Sequence, residues 1–114
     1  MSKALLSTQL RTHRKRAYLT QTEVAILIAV LSGTTVSRHE AGDRRLSLED
    51  AFAYEALFGI PASALFPGAY EKAREGVSAR ALGLLGKLSR DGPDTPAARH
   101  KQRFLESMLR RLRS

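Results

Sequence analysis

Thr20 and Glu23 stand three residues apart, directly ahead of Val24–Leu31, the longest uninterrupted apolar run in the chain. By periodicity alone VAILIAVL fits a buried strand as well as a buried helix. The pair ahead of it decides between them. A threonine hydroxyl at a helix start accepts from the third amide of the helix, and a glutamate three residues on reaches back to the threonine's own N–H. The run is therefore read as a helix from Gln21 to near Ala29. At eight residues the apolar run is far too short to span a bilayer.

Glycine and proline divide the remainder into short helical pieces with little period-2 alternation, so the expected fold class is all-α. An opening helix spans about Ser7–Ala17, with Leu6 and Leu10 on one face. After the second helix, Val30–Gly33 interrupts the pattern, and Ser32 is placed to cap a further helix through Thr34–Glu40. Gly42 stands where that helix would end in a left-handed residue. Ser47 and Asp50 repeat the cap pairing ahead of Leu48, Ala51, Phe52, Ala56 and Leu57, read as the apolar face of a fourth helix. Gly59-Ile60-Pro61 breaks it, and Ala62–Phe66 supplies one further turn.

Pro67-Gly68 opens a longer helical stretch to about Ser89, with Val77, Ala81, Leu84, Leu85 and Leu88 at helical spacing. Gly76, Gly83 and Gly86 lie inside it, each ~1 kcal/mol worse than alanine. Residues 90–94 read as a linker. Thr95 and Pro96 fit the cap and first position of a last helix. Its face holds Ala98, Leu105, Met108, Leu109 and Leu112, with Arg99, Lys101, Arg103, Arg110, Arg111 and Arg113 around it. The expected organisation is a five-helix domain over residues 1–67 and a helical C-terminal extension over 68–114, with a linker at about 90–94.

The 114 residues carry 19 Lys/Arg against 11 Asp/Glu, a net charge of +8. Such a chain attracts anions, nucleic acid first and an anionic membrane second. Residues 1–67 hold eight basic and six acidic side chains, and residues 68–114 hold eleven and five, so most of the excess lies in the extension. With no cysteine there is no disulfide, thiol nucleophile or cysteine-ligated zinc. His13, His39 and His100 have no metal-ligand spacing, so neither metal nor cofactor is expected. Gly83-Leu84-Leu85-Gly86-Lys87 is no phosphate loop: Ala81 stands where the first glycine belongs, Ser89 comes two residues after the lysine, and no strand precedes it. No Ser/His/Asp order suggests nucleophilic chemistry, and the expectation is that the protein is not an enzyme. MSKALLSTQLRTHRKRA has no long apolar core, so no secretory leader is expected and the expected location is cytoplasmic.

Thr20–Gly42 is the informative unit: a capped helix, a tight turn and a second short helix. That is a helix-turn-helix, whose second helix is able to lie in the major groove of DNA. Ala25 is small where the helices approach, while Ile28, Val30 and Val36 are apolar where the pair buries its inner faces. Thr34, Thr35, Ser37 and Arg38 fall on the other side of the helix at 33–40 and are the candidates for base edges. Arg38 is able to take guanine O6 and N7 in a bidentate pair worth roughly 1–3 kcal/mol of discrimination. Gln21, with the free amides of its helix start, is a candidate phosphate contact, as are Arg11, Lys15, Ser32, Arg44 and Arg45.

TQTEVAILIAVLSGTTVSRHEAG followed by LSLEDAFAYEALFGIPASALF resembles the lambda-repressor-like, Cro-type (XRE family) DNA-binding domain. The features that carry the likeness are Gln21, Ala25, Val36-Ser37-Arg38-His39-Glu40-Ala41-Gly42, and Phe58-Gly59-Ile60 through Leu65-Phe66. Two positions depart from the pattern. Ala29 stands where the family has its tight-turn glycine, with one extra residue between Ala25 and Val36, and His39 where it often has an aromatic or aliphatic residue. The resemblance implies five helices with the third in the groove, and a structural ion pair between Arg14 and Glu40. It also implies a transcriptional regulator of repressor type, binding double-stranded DNA as a homodimer. Two other readings stay open. One is a DNA-binding antitoxin, or another partner-neutralising protein, that uses residues 68–114. The other is an adaptor or membrane-surface protein using the basic last helix.

Overall fold

The computed structural model describes residues 7–43 and 45–113, which hold seven α-helices and no strand. These are α1 (Leu10–Arg16), α2 (Gln21–Ile28), α3 (Gly33–Glu40), α4 (Leu48–Phe58), α5 (Ala62–Leu65), α6 (Pro67–Asp91) and α7 (Pro96–Arg113). The all-α expectation holds. Contacts divide the chain into two compact units, Met1–Glu71 and Lys72–Ser114. The division thus falls inside α6, a few residues beyond the boundary expected at 67. Of the expected linker, residues 90 and 91 are still helical, because α6 runs on to Asp91.

Both capping boxes form. Thr20 Oγ1 accepts from the Glu23 amide at 3.0 Å, and the Glu23 carboxylate accepts from the Thr20 amide at 2.9 Å. Ser47 and Asp50 make the same exchange at the start of α4. Ser32 precedes α3 in extended backbone, but its side chain makes no capping hydrogen bond. Thr95 caps α7 through its hydroxyl, which accepts from the Ala98 amide at 3.1 Å.

Helices α1, α2 and α3 end in the same way, through a left-handed residue whose neighbours close two carbonyls. The Leu19 amide donates to Arg14 O and Tyr18 to Lys15 O; Val30 donates to Ala25 O and Ala29 to Ile26 O; Asp43 donates to Arg38 O and Gly42 to His39 O. These paired bonds are the six-to-one and five-to-two contacts of a Schellman ending. Only the last is built on glycine, with φ at 93° for Gly42, while Tyr18 and Ala29 hold φ values of 59° and 63°. A side chain in the left-handed region costs roughly 1–2 kcal/mol from the clash of Cβ with the following carbonyl. The turn after α2 therefore keeps its geometry without the expected glycine, at a cost in stability.

The core of the first unit is Leu10, Val24, Ala25, Ile28, Val36, Tyr54 and Leu65, all buried. From α2, Val24, Ala25 and Ile28 turn inward, whereas Ile26 and Leu27 stay exposed. The core face of α4 differs from the one expected. Tyr54 is buried, and Ala53, Leu57 and Phe58 pack beside it, whereas Leu48 and Phe52 are exposed. A buried tyrosine needs a partner for its hydroxyl, and His39 Nδ1 supplies it at 2.8 Å. The Tyr54 ring stacks on Phe58 and meets Phe66 edge-on, at centroid distances of 6.4 and 6.0 Å. Each fully buried side chain of this size stabilises the fold by about 1.5–3 kcal/mol. The α5 start, which has only Pro61 ahead of it, is capped from α4: Glu55 Oε1 accepts from the Ala62 amide at 2.9 Å.

In the second unit, Ala81 of α6 packs with Met108 and Leu109 of α7, flanked by Leu85, Leu105 and Leu112.

Ala29→Gly relieves the left-handed strain but adds backbone freedom to the unfolded chain, so a net gain of about 0.5–1 kcal/mol is expected. Thermal denaturation should show a melting temperature a few degrees higher; a decrease would count against the strained turn.

Candidate nucleic-acid interface

Helix α3 has two chemically different sides. Val36 is 0% and His39 6% exposed. One helical step round, Thr34, Ser37 and Arg38 are exposed, and Thr35 is half-buried. Three of the four candidate base contacts therefore share a solvent-facing stripe, with Thr35 at its edge. An eight-residue helix of this kind presents hydroxyl, methyl and guanidinium groups together, the repertoire that base edges in the major groove recognise.

The inner side fixes how α3 is held. Arg14 Nε donates to Glu40 Oε2 at 2.5 Å and Arg14 Nη2 to Glu40 Oε1 at 3.2 Å, and the two side chains are only 12% and 6% exposed. The remaining guanidinium nitrogen, Nη1, donates to the Leu19 carbonyl at 3.0 Å. The hydrogen bond that Arg14 donates to Glu40 raises the Arg14 pKa above its ordinary value, against the opposing effect of burial. The ion pair expected from the family resemblance is present in the structure. A third partner joins it, since Gln21 Nε2 donates to Glu40 Oε1 at 3.0 Å. One amide hydrogen of Gln21 is thus turned inward, and the residue joins the start of α2 to the end of α3. Thr8 adds another tie, donating its hydroxyl to the Glu40 carbonyl oxygen at 3.1 Å.

Gly33 explains how closely the two helix starts lie. A Cβ on Gly33 would stand 3.1 Å from the Thr22 backbone nitrogen and 3.3 Å from the Gln21 carbonyl carbon. Backbone atoms yield little, so glycine sets this approach. Beside it, a groove of about 600 Å³ opens between α1, α2 and α3, lined among others by Arg11, Tyr18, Gln21, Ser37 and Ala41. Candidate backbone contacts and a candidate base contact thus meet on one surface.

The other cations divide. Lys15 is exposed on α1, and Ser32 is exposed ahead of α3. Arg45 is exposed but engaged: its guanidinium donates to both Asp43 carboxylate oxygens, at 3.1 and 2.7 Å. Arg44 lies outside the described residues, as does Leu6. Among the described residues no cluster of metal-ligating side chains occurs.

Sequence reasoning missed the His39–Tyr54 pair, the Gln21 bridge and the close approach at Gly33. His39 carried a signal, because it falls at the i+3 position from buried Val36. Burial pushes its imidazole pKa below the ordinary value, against the opposing charges of Asp50 and Asp43. Burial likewise pushes the Tyr54 phenol well above its usual range.

A capped helix, a four-residue turn and a second helix with its polar side in solvent define the helix-turn-helix class of DNA-binding domain. The model of a helix-turn-helix domain family matches residues 5–63, more than half of the chain, and the chain belongs to that family. No characterised protein and no solved structure matches it significantly.

Glu40→Ala removes the acceptor for both Arg14 and Gln21 and leaves a largely buried guanidinium unpaired, for an expected loss of about 3 kcal/mol. An unchanged denaturation midpoint would refute the network's structural weight. His39 gives a pH dependence of known sign. Its folded pKa lies below the unfolded value of about 6.5, so its contribution is complete above pH 6.5 and is lost as pH falls below it. Between pH 7.5 and 5 the melting temperature should fall more steeply for the native chain than for His39→Gln; parallel curves would remove the buried imidazole as the cause.

Proposed function

We propose that the protein is a transcriptional regulator that binds double-stranded DNA sequence-specifically, with α3 in the major groove, and represses by occupying promoter DNA. The observation that carries this reading is the division of α3. Val36, His39 and Glu40 hold the helix to the unit, while Thr34, Ser37 and Arg38 remain in solvent. Membership of the helix-turn-helix family supplies the class of ligand.

In this reading Arg38 takes a guanine edge, Ser37 and Thr34 bond neighbouring bases, and a threonine methyl meets a thymine methyl. Arg11, Lys15, Ser32 and the second amide hydrogen of Gln21 grip phosphates and set the register without reading sequence. Arg45 joins them by exchanging Asp43 for a phosphate. The function is binding without a chemical step, and repression follows from excluding other proteins from the occupied DNA. A second copy would take an inverted half-site about one helical turn away, since a dimer's twofold axis imposes that spacing.

The test is selection from a random duplex pool by the purified chain, followed by titration of the selected and a scrambled duplex. Arg38→Ala should lose about 1–3 kcal/mol on the selected duplex and little on the scrambled one. Lys15→Ala should weaken both alike. Equal loss on both duplexes from Arg38→Ala would sink the base-reading role.

A further inference from the structure

The α6–α7 unit has more positive charge than the unit that holds the helix-turn-helix. Residues 72–114 contain eleven Lys/Arg and four Asp/Glu, a net +7 in 43 residues. On α7 the apolar face is already used: Ala98, Met108 and Leu109 are buried, and Leu105 and Leu112 pack with them beside Ala81 and Leu85. Arg99, Arg103 and Arg110 follow one another at spacings of four and seven residues on the side away from that face, with His100, Ser107 and Arg111 beside them. All six are exposed. Glu106 is the one acidic residue on α7, and Asp94 just ahead of the helix accepts from Arg99 at 2.5 Å.

We infer that the basic face of α7 is a second DNA-contacting surface, a sequence-independent grip on the phosphate backbone of duplex DNA. The occupant follows from the charge and from what the helix has already spent. A polyanion gains from a surface of this charge, because each cation that meets a phosphate releases condensed counterions. A second copy of the same unit would bring one strongly positive surface against another. A lipid surface calls for a broad free apolar face on the amphipathic helix, and on α7 that face is packed against α6, with Phe104 alone of its large apolar side chains left exposed. The inference rests on the DNA-binding reading above in one respect: a chain that already holds a duplex presents its second unit at high effective concentration.

Arg99→Gln, Arg103→Gln and Arg111→Gln combined, in the full chain, remove three exposed charges of that face while keeping residues that favour helix. Binding to the selected duplex and to a scrambled duplex is measured from 50 to about 300 mM salt. The expected result is a slope of log K against log salt that is shallower by about two to three on both duplexes, since each phosphate contact contributes about 0.9. Affinity should fall about tenfold or more on both, with the preference between them unchanged. A second variant, Arg99→Lys, Arg103→Lys and Arg111→Lys, keeps the charge and should keep the slope; loss of binding there would assign the effect to structure and overturn the inference. Unchanged affinity and slope in the glutamine variant, with Arg38→Ala still abolishing preference, would overturn it and leave the α3 reading standing. Failure of the native chain to bind any duplex would remove both. Loss of binding to phosphatidylserine vesicles with duplex binding intact would make an anionic membrane the occupant instead, and would overturn it too.

Discussion

The Glu40 carboxylate is the point through which three helices of the first unit are tied. It accepts from Arg14 of α1 and from Gln21 at the start of α2, while itself closing α3. A carboxylate this buried would be costly alone, and an arginine this buried equally so; together, with their remaining hydrogen-bonding capacity met by Leu19 and Gln21, they form a satisfied polar cluster. Its consequence is directional. With Glu40 turned inward, Val36 and His39 follow, and Thr34, Ser37 and Arg38 are left facing solvent. The surface proposed to read DNA is thus the complement of the surface that holds the helix.

Around that cluster the unit combines firm and strained features. The two capping boxes satisfy amides at the starts of α2 and α4, and Glu55 does so for α5 from a distance in sequence. Against this stand two side chains in left-handed backbone, Tyr18 and Ala29. They flank α2 on either side, so the helix entering the helix-turn-helix and the turn leaving it each bear strain that a glycine would relieve. The buried His39–Tyr54 pair adds a dependence on pH, since the imidazole must stay neutral to remain in place.

Much of this was legible in the chain. The Thr20/Glu23 and Ser47/Asp50 pairs located helix starts because the cap chemistry is local, requiring only residues three apart. Pro96 and Thr95 did the same for α7. The α4 face was read wrongly for the opposite reason. Leu48 and Phe52 are apolar and at helical spacing, but so are Ala53, Tyr54, Leu57 and Phe58, and hydrophobicity alone does not choose between overlapping stripes. Tyr54 won because His39, fifteen residues away, was available to satisfy its hydroxyl. Arg45 is a candidate phosphate contact by its charge, and the structure adds that Asp43, two residues earlier, holds it.

By itself the sequence determined the all-helical class, the positions of the caps, the helix-turn-helix spacing and the basic character of the C-terminal unit. Each depends on neighbours along the chain, on composition or on helical periodicity. Only the tertiary structure decided which face of α4 goes inward, that Gln21 shares Glu40 with Arg14, that Gly33 is a point of contact between helix starts, and that the apolar face of α7 is spent on α6. Those outcomes depend on groups distant in sequence competing for the same burial and the same hydrogen bonds, a competition that is settled only when the helices pack.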